Sequence, residues 1–219
     1  MSDARLDSGP GCPAGCIAPP GRVFTLAGRD VRRCPQCGLF RLDARAKPDV
    51  AGRLDRSRFD EAFRELRRDN YAQILDAVDR FRPVDGARVL DVGSSSGWFL
   101  EAAHRRGARC FGIEPDPYFC ERARRALPDD VSLVNGFFPR DLPDGWAAFD
   151  VITFHDVFEH LEDPLGVLDA CARRLAPDGI LVLSVPSADG FVFRLGALLR
   201  RFGVEGPLER AFQLHYPCP

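Results

Sequence analysis

Arg88-Val89-Leu90-Asp91-Val92-Gly93-Ser94-Ser95-Ser96-Gly97-Trp98-Phe99-Leu100 is the stretch on which the fold turns. A short run of β-branched and apolar residues ends on Asp91, a glycine-flanked turn follows, and an amphipathic segment begins near Trp98. That order predicts a strand, a tight turn and a helix. Glycines in such a turn let a ligand approach the backbone, and the helix start offers N–H groups with no intrahelical partner.

The spacing restricts the ligand. Only Gly93 and Gly97 are present, four apart, so the G-x-G-x-x-G fingerprint of a dinucleotide site is absent. Glu114, 23 positions beyond Asp91, ends the next apolar run, where a carboxylate can accept hydrogen bonds from both ribose hydroxyls. An adenosine-type ligand without a terminal phosphate is implied. Gly93-Ser94-Ser95-Ser96-Gly97 also fits G-x-S-x-G, which would make Ser95 a hydrolase nucleophile. Against that reading, the turn follows the first strand of the sheet and Glu114 would have no role.

Outward from this turn, β-type and helical runs alternate. Strands are predicted over 88–92, 109–113, 131–134, 149–154 and 180–185, with helices over 97–106, 117–126 and 164–175. The pattern gives an α/β fold with a mostly parallel sheet and helices on both faces, its ligand site at the edge formed by the strand ends. Upstream, Phe59, Phe63, Leu66, Tyr71, Ile74, Leu75 and Val78 recur mostly three or four apart, predicting a helix from Ser57 to Phe81. Residues 1–50 hold only short strand-like pieces, 21–26 and 38–42, and cannot build a core alone. Three segments result: a small module over 1–50, a helical linker or cap over 51–85, and the ligand-binding domain over 86–219.

Composition narrows the classes. The chain is 45% hydrophobic and 28% charged with a net charge of −2, within the ordinary globular range. No apolar run reaches the ~20 residues that span a bilayer, and no signal-peptide pattern opens the chain, so a cytoplasmic protein without a membrane partner is expected. Lys47 is the only lysine among 30 basic residues. Acidic residues are mixed among the arginines, which argues against a nucleic-acid partner, and the Arg-rich stretch from Arg53 to Arg68 reads as a solvated helix face.

Of eight cysteines, Cys110, Cys120, Cys171 and Cys218 are scattered and read as small apolar residues. Cys34-Pro35-Gln36-Cys37-Gly38 has the C-x-x-C-G form of a zinc knuckle. Cys12 and Cys16, with 17 residues between the two pairs, complete a four-thiolate set for a structural Zn²⁺. A segment so poor in core residues needs such a staple.

Val89 to Gly97 resembles motif I of the class I S-adenosylmethionine (SAM)-dependent methyltransferases. The run from Phe149 through His155-Asp156-Val157-Phe158-Glu159-His160 to Pro164 is similar to that family's fourth strand and the following helix start, especially in enzymes of the ubiquinone-biosynthesis type. Leu175-Ala176-Pro177-Asp178-Gly179-Ile180 resembles the turn into strand five. The resemblance covers roughly residues 70–190 and implies a Rossmann-like fold, SAM as cofactor and methyl transfer to a small-molecule acceptor that is quinone-, sugar- or polyketide-like. It assigns the cofactor to Asp91, Gly93, Ser94, Ser95, Gly97, Glu114, Pro115, Asn135, Gly136, Phe137 and His155. His155 or Asp156 becomes the general base.

Two departures stand out: Ser95 replaces the middle glycine of motif I, and the family's two strands after strand five have no counterpart before Pro219. Residues 191–219 resemble the family's acceptor-side insertion. A catalytically inactive assembly or regulatory protein is the alternative, and a homodimer that exchanges strands is open. Some sugar C-methyltransferases have a similar layout, with a zinc module ahead of the SAM domain. The Asp156-x-x-Glu159-His160 run also holds ligand types for a divalent cation, although too few are visible to define a site.

Overall fold

The computed structural model describes residues 12–26, 29–42, 56–146, 148–161, 163–187, 189–204 and 206. The expected module and cap therefore fall partly outside the described residues, at 1–11 and 43–55, as does Cys218. The chain divides into two compact units, one holding 1–51, 162–165 and 186–218, the other 52–161 and 166–185.

The first unit is a three-stranded antiparallel sheet, β1 (Gly21–Leu26), β2 (Arg29–Arg33) and β3 (Phe40–Leu42), with a bulge between Arg22 and Phe24. Val31 of β2 is fully buried against Phe24 and Phe40. β2 has no counterpart among the strands expected from sequence, because Arg-Asp-Val-Arg-Arg shows one apolar residue among four charged ones. One apolar residue in five gives no alternating pattern to read, yet a single inward side chain is enough to seat a short strand.

In the second unit, α1 (Arg56–Asp79) precedes a β/α alternation. It runs β4 (Arg88–Val92), α2 (Trp98–His104), β5 (Arg109–Glu114), α3 (Pro117–Ala126), β6 (Ser132–Asn135), β7 (Phe149–His155), α4 (Pro164–Arg174) and β8 (Leu175–Ser184). The order β6-β5-β4-β7-β8, parallel throughout, confirms the expected sheet. β8 begins five residues before the expected 180, since Leu175 already pairs with Phe149 across a register shift. The final helix α5 (Phe191–Arg200) departs from the expected 86–219 domain: Phe193 and Ala197 pack on Val31 in the first unit.

Alternate residues of the central strands separate two cores. Val89 and Val151 point to the side covered by Tyr71, Leu75 and Val78 of α1 and by Phe99, Leu100 and Ala103 of α2. Leu90, Ile152 and Phe154 point to the opposite side with Phe149, Val167 and Cys171. Both faces of β4 and β7 are thus apolar, which is why these strands read as continuous hydrophobic runs.

The chain leaves β4 first for β5 and β6 and later returns to β7 on the other flank, so the strand order reverses at the end of β4. A crevice opens there. Close packing behind it fixes Gly97, which has φ +80° and whose added Cβ would meet Leu127 at 2.5 Å and Ala123 at 3.2 Å. Gly97→Ala combines left-handed strain with overpacking and is expected to cost about 2–5 kcal/mol. A thermal melt followed by circular dichroism should fall by about 5–15 °C. Gly145→Ala, where an added Cβ meets nothing within 4 Å, should leave the midpoint unchanged; equal effects at both positions would contradict the packed turn.

Candidate functional site

The ends of β4, β5 and β7 bring the sequence-selected residues together. Gly93 (φ +73°) turns the chain, and its N–H donates to the Ile113 carbonyl at 2.8 Å. An added Cβ would meet Val157 at 2.5 Å, so the turn presses directly on the loop after β7. Ser95, in the place of a glycine, holds φ +47°, a left-handed conformation that L-residues rarely adopt. Its backbone N–H donates to Glu114 Oε2 at 2.8 Å, an interaction that ties down the strained residue.

Glu114 is buried, with each oxygen accepting one backbone N–H: Oε2 from Ser95 and Oε1 from Asp116, both at 2.8 Å. Burial pushes its carboxyl above the usual range, and these two hydrogen bonds oppose that. A carboxylate has about four lone-pair sites, so acceptor capacity remains on both oxygens. Asn135 Nδ2 donates to the carbonyls of Glu114 (2.8 Å) and Pro115 (3.1 Å), which staples the β5 turn to β6. Gly136 also donates to the Glu114 carbonyl, at 3.0 Å. Phe137 is partly exposed, and its N–H donates to Asp141 at 2.8 Å while Arg140 lies over its ring at 5.1 Å.

Asp91 is almost fully buried and accepts the Thr153 hydroxyl at 2.8 Å. Desolvation pushes its carboxyl up to about 7, against the lowering effect of that hydrogen bond. His155 Nε2 is 4.0 Å from Asp91, but burial, aided by the charge of Arg67, lowers the imidazole to about 4, so this is a neutral contact and not an ion pair. The His155 ring lies 4.4 Å from Phe99 and 5.1 Å from Tyr71, and neither ring nitrogen has a partner among the described residues. The Ser94 hydroxyl is similarly buried without a partner. Buried polar atoms of this kind normally find one. At the crevice edge they suit a polar ligand.

Asp156 follows β7 at φ +56°, with its side chain 46% exposed. Arg67 of α1 faces it at 3.7 Å and donates to the Tyr71 hydroxyl at 3.3 Å. Sequence reasoning missed this pair, and Arg67 departs from the expected solvated helix face. Tyr71 was legible only as part of an apolar stripe, since periodicity says nothing of what its hydroxyl meets. Thr153 and Asp141 were also missed; both act through bonds between segments distant in the chain or across a turn. Burial raises Glu159 to about 7.

In the first unit, the Sγ atoms of Cys12, Cys16, Cys34 and Cys37 all lie within 4.8 Å of one another, Cys12 and Cys37 at 3.6 Å. Two turns present them. Gly15 (φ +71°) donates to the Cys12 carbonyl and Gly38 (φ +78°) to the Cys34 carbonyl, each at 2.9 Å. Backbone N–H donation from Cys37 lowers Cys34 to about 6, whereas hydrogen bonding to Cys37 raises Cys16 to about 12. Four thiolates at this spacing repel unless a cation sits among them. Tetrahedral Zn–S bonds of ~2.3 Å place the sulfurs about 3.8 Å apart, which this cluster matches.

The methyltransferase domain family matches residues 63–218. A ubiquinone biosynthesis O-methyltransferase of Xylella fastidiosa is 35% identical over 113 residues, 50% of this chain and 46% of that protein. The chain thus spans about half the length of the curated relatives it matches. The structure of Streptomyces venezuelae DesVI is 25% identical, with 60% of this chain and 58% of that chain aligned at a TM-score of 0.50. The plantazolicin methyltransferase BpumL, solved with a monoazolic desmethylPZN analog and SAH, shares the fold at a TM-score of 0.56 and 16% identity over 75% of this chain and 62% of its own. With a family match over most of its length, and with the glycine turn, the buried acidic strand end and the parallel sheet that it requires, the chain belongs to the methyltransferase domain family.

Proposed function

We propose that this chain carries out SAM-dependent methyl transfer to a small-molecule acceptor, by O- or C-methylation of a quinone-, sugar- or polyketide-like compound. The observation that carries the reading is the buried Glu114 carboxylate, held beside the Gly93–Gly97 turn by two backbone N–H groups with acceptor capacity to spare. That arrangement suits the two ribose hydroxyls of SAM. The relatives named for ubiquinone O-methylation favour a hydroxyl acceptor. The hydrolase alternative at Ser95 gives way to the family assignment.

When bound, the cofactor supplies an activated methyl group on a sulfonium; the chain supplies alignment and exclusion of water. Glu114 orients the ribose, and Pro115 and Phe137 flank the adenine. Gly93, Ser94 and Gly97 leave room for the methionine portion. Asp91 places a carboxylate near it, and His155, neutral at pH 7, offers a ring nitrogen without adding charge. Asp156, partly exposed beyond β7, takes the proton from an acceptor hydroxyl, with Arg67 holding its carboxylate in place.

Isothermal titration with SAM and S-adenosylhomocysteine tests the cofactor site. Glu114→Ala should weaken both by at least about 30-fold, corresponding to lost hydrogen bonds to a charged group of about 2 kcal/mol or more. A folded wild-type protein that binds neither compound would refute the reading.

The raised Asp91 pKa gives a second test. Below about 7 its carboxyl is protonated and contributes no charge toward a cationic ligand; above, it is ionised. Affinity for SAM should therefore climb between pH 6 and 8 and level off, while Asp91→Asn should bind weakly with no such rise. An unchanged slope in the variant would assign the titration to another group.

The four cysteines we assign to one structural Zn²⁺, supported by their mutual spacing and by the small core around Val31. Mass spectrometry of the purified chain should find one zinc per chain, and Cys34→Ser should lose it together with the protease resistance of residues 12–42. Full-length folded protein without zinc, equally resistant, would count against the assignment.

A further inference from the structure

Strand β7 reads Phe149-Asp150-Val151-Ile152-Thr153-Phe154-His155, and a single hydroxyl interrupts its buried middle. Val151, Ile152 and Phe154 fill the two cores, whereas Thr153 is fully buried yet polar. Valine has the same branched shape and would suit that place with no hydroxyl to satisfy. The register shows what the hydroxyl meets. Thr153 pairs directly with Asp91 of β4, on the sheet face that Val89 and Val151 share with α1 and α2.

Two acceptors lie within reach of its one proton. Asp91 Oδ1 is 2.8 Å from Thr153 Oγ1, inside the usual O–H···O range, while the Leu90 carbonyl is 3.4 Å away and outside it. An ionised Asp91 takes the proton in a charge-assisted bond. A protonated Asp91 is the weaker acceptor, and the longer reach to Leu90 does not compensate. The pair therefore favours the carboxylate.

Other groups act on Asp91 as well. Burial opposes its ionisation most, the Thr153 hydrogen bond favours it, the charge of Glu114 on β5 opposes it, and Arg67 on α1 favours it. Tyr71 on α1, Cys110 on β5 and His155 on β7 also lie within electrostatic range, and α2 brings the apolar Phe99 against His155. Burial lowers His155 to about 4, with help from Arg67, and raises Cys110 to about 12, so neither changes charge near neutrality.

We propose that Thr153 is a positioning residue of the cofactor site: its hydroxyl holds the Asp91 carboxylate oriented and ionised, and so sets the pH above which the site takes a cationic ligand. The inference rests on the reading of the Gly93–Gly97 turn as the place where SAM binds. The Thr153–Asp91 bond itself can be tested without that reading.

Isothermal titration of SAM at a series of pH values separates this role from a structural one. A hydrogen bond to a charged group is equivalent to about one pH unit, so the Asp91 midpoint should rise by about that much in Thr153→Val. The variant should bind SAM about tenfold more weakly than wild type at pH 6 and within about twofold of it at pH 8.5. Taking the ratio at each pH removes the titration of the ligand's own amine. Thr153→Ser keeps the hydroxyl and should track the wild type. Thr153→Ala, a second variant without the hydroxyl, should shift in the same direction as valine, and circular dichroism checks that each variant is folded.

The ligand-free protein gives an independent readout. Carbon NMR of protein labelled with ¹³C at the aspartate carboxyls reports the Asp91 midpoint directly, its signal identified by loss in Asp91→Asn, and Glu114 is silent in such a sample. That signal should titrate about one unit higher in Thr153→Val. A midpoint that stays in place, or a loss of affinity equal at pH 6 and pH 8.5, would overturn the proposal and leave Thr153 a packing residue. A midpoint that rises in a protein binding no SAM at any pH would support the Thr153–Asp91 bond and refute the cofactor reading.

Discussion

One buried carboxylate links the three segments that the site needs. Glu114 ends β5 and receives N–H groups from the β4 turn and from its own following turn, while Asn135 at the end of β6 grips the carbonyls of Glu114 and Pro115. Three strand ends are thereby fixed in relation to one another at the edge where the parallel sheet leaves backbone groups unpaired. Burying the carboxylate costs free energy, and the two amide donors offset much of that cost. The carboxylate that we propose as the ribose acceptor also shapes the neighbouring turn, so recognition and local folding would share one set of atoms.

Much of the second unit was legible because its signals are local and redundant. β4 and α3 agree with the expected ranges, since each is bounded by strong punctuation: Gly86 and Gly93 around one, Pro117 and Pro128 around the other. Asp91, Gly93, Gly97 and Glu114 could be selected because glycine turns and strand-terminal acids leave characteristic spacings. The contributions of Arg67, Thr153 and Asp141 were not legible, because each arises from contacts that the chain makes after folding. Asn135's position at a strand end is visible in sequence, but its choice of two carbonyls is geometric.

The first unit shows the opposite balance. Its cysteine spacing was the clear signal, while β2 and the company of α5 were obscure. Arg29–Arg33 reads as a charged loop until Val31 is seen to be the one fully buried side chain of its cluster. A sheet of three short strands buries little apolar surface, so the packing of Phe193 and Ala197 of α5 on Val31 adds to its core. Residues from both ends of the sequence thus belong to one unit.

Ser95 narrows the sequences that this turn can explore. With φ +47° and its amide committed to Glu114, the position tolerates a small side chain only at a conformational cost. Glycine would relieve that cost, and asparagine or aspartate would bear it with local hydrogen bonding. Valine, isoleucine and threonine, whose branched β-carbons suit the left-handed region least, are shut out. Among homologues, drift at this site should therefore pass through a handful of small or amide-bearing residues.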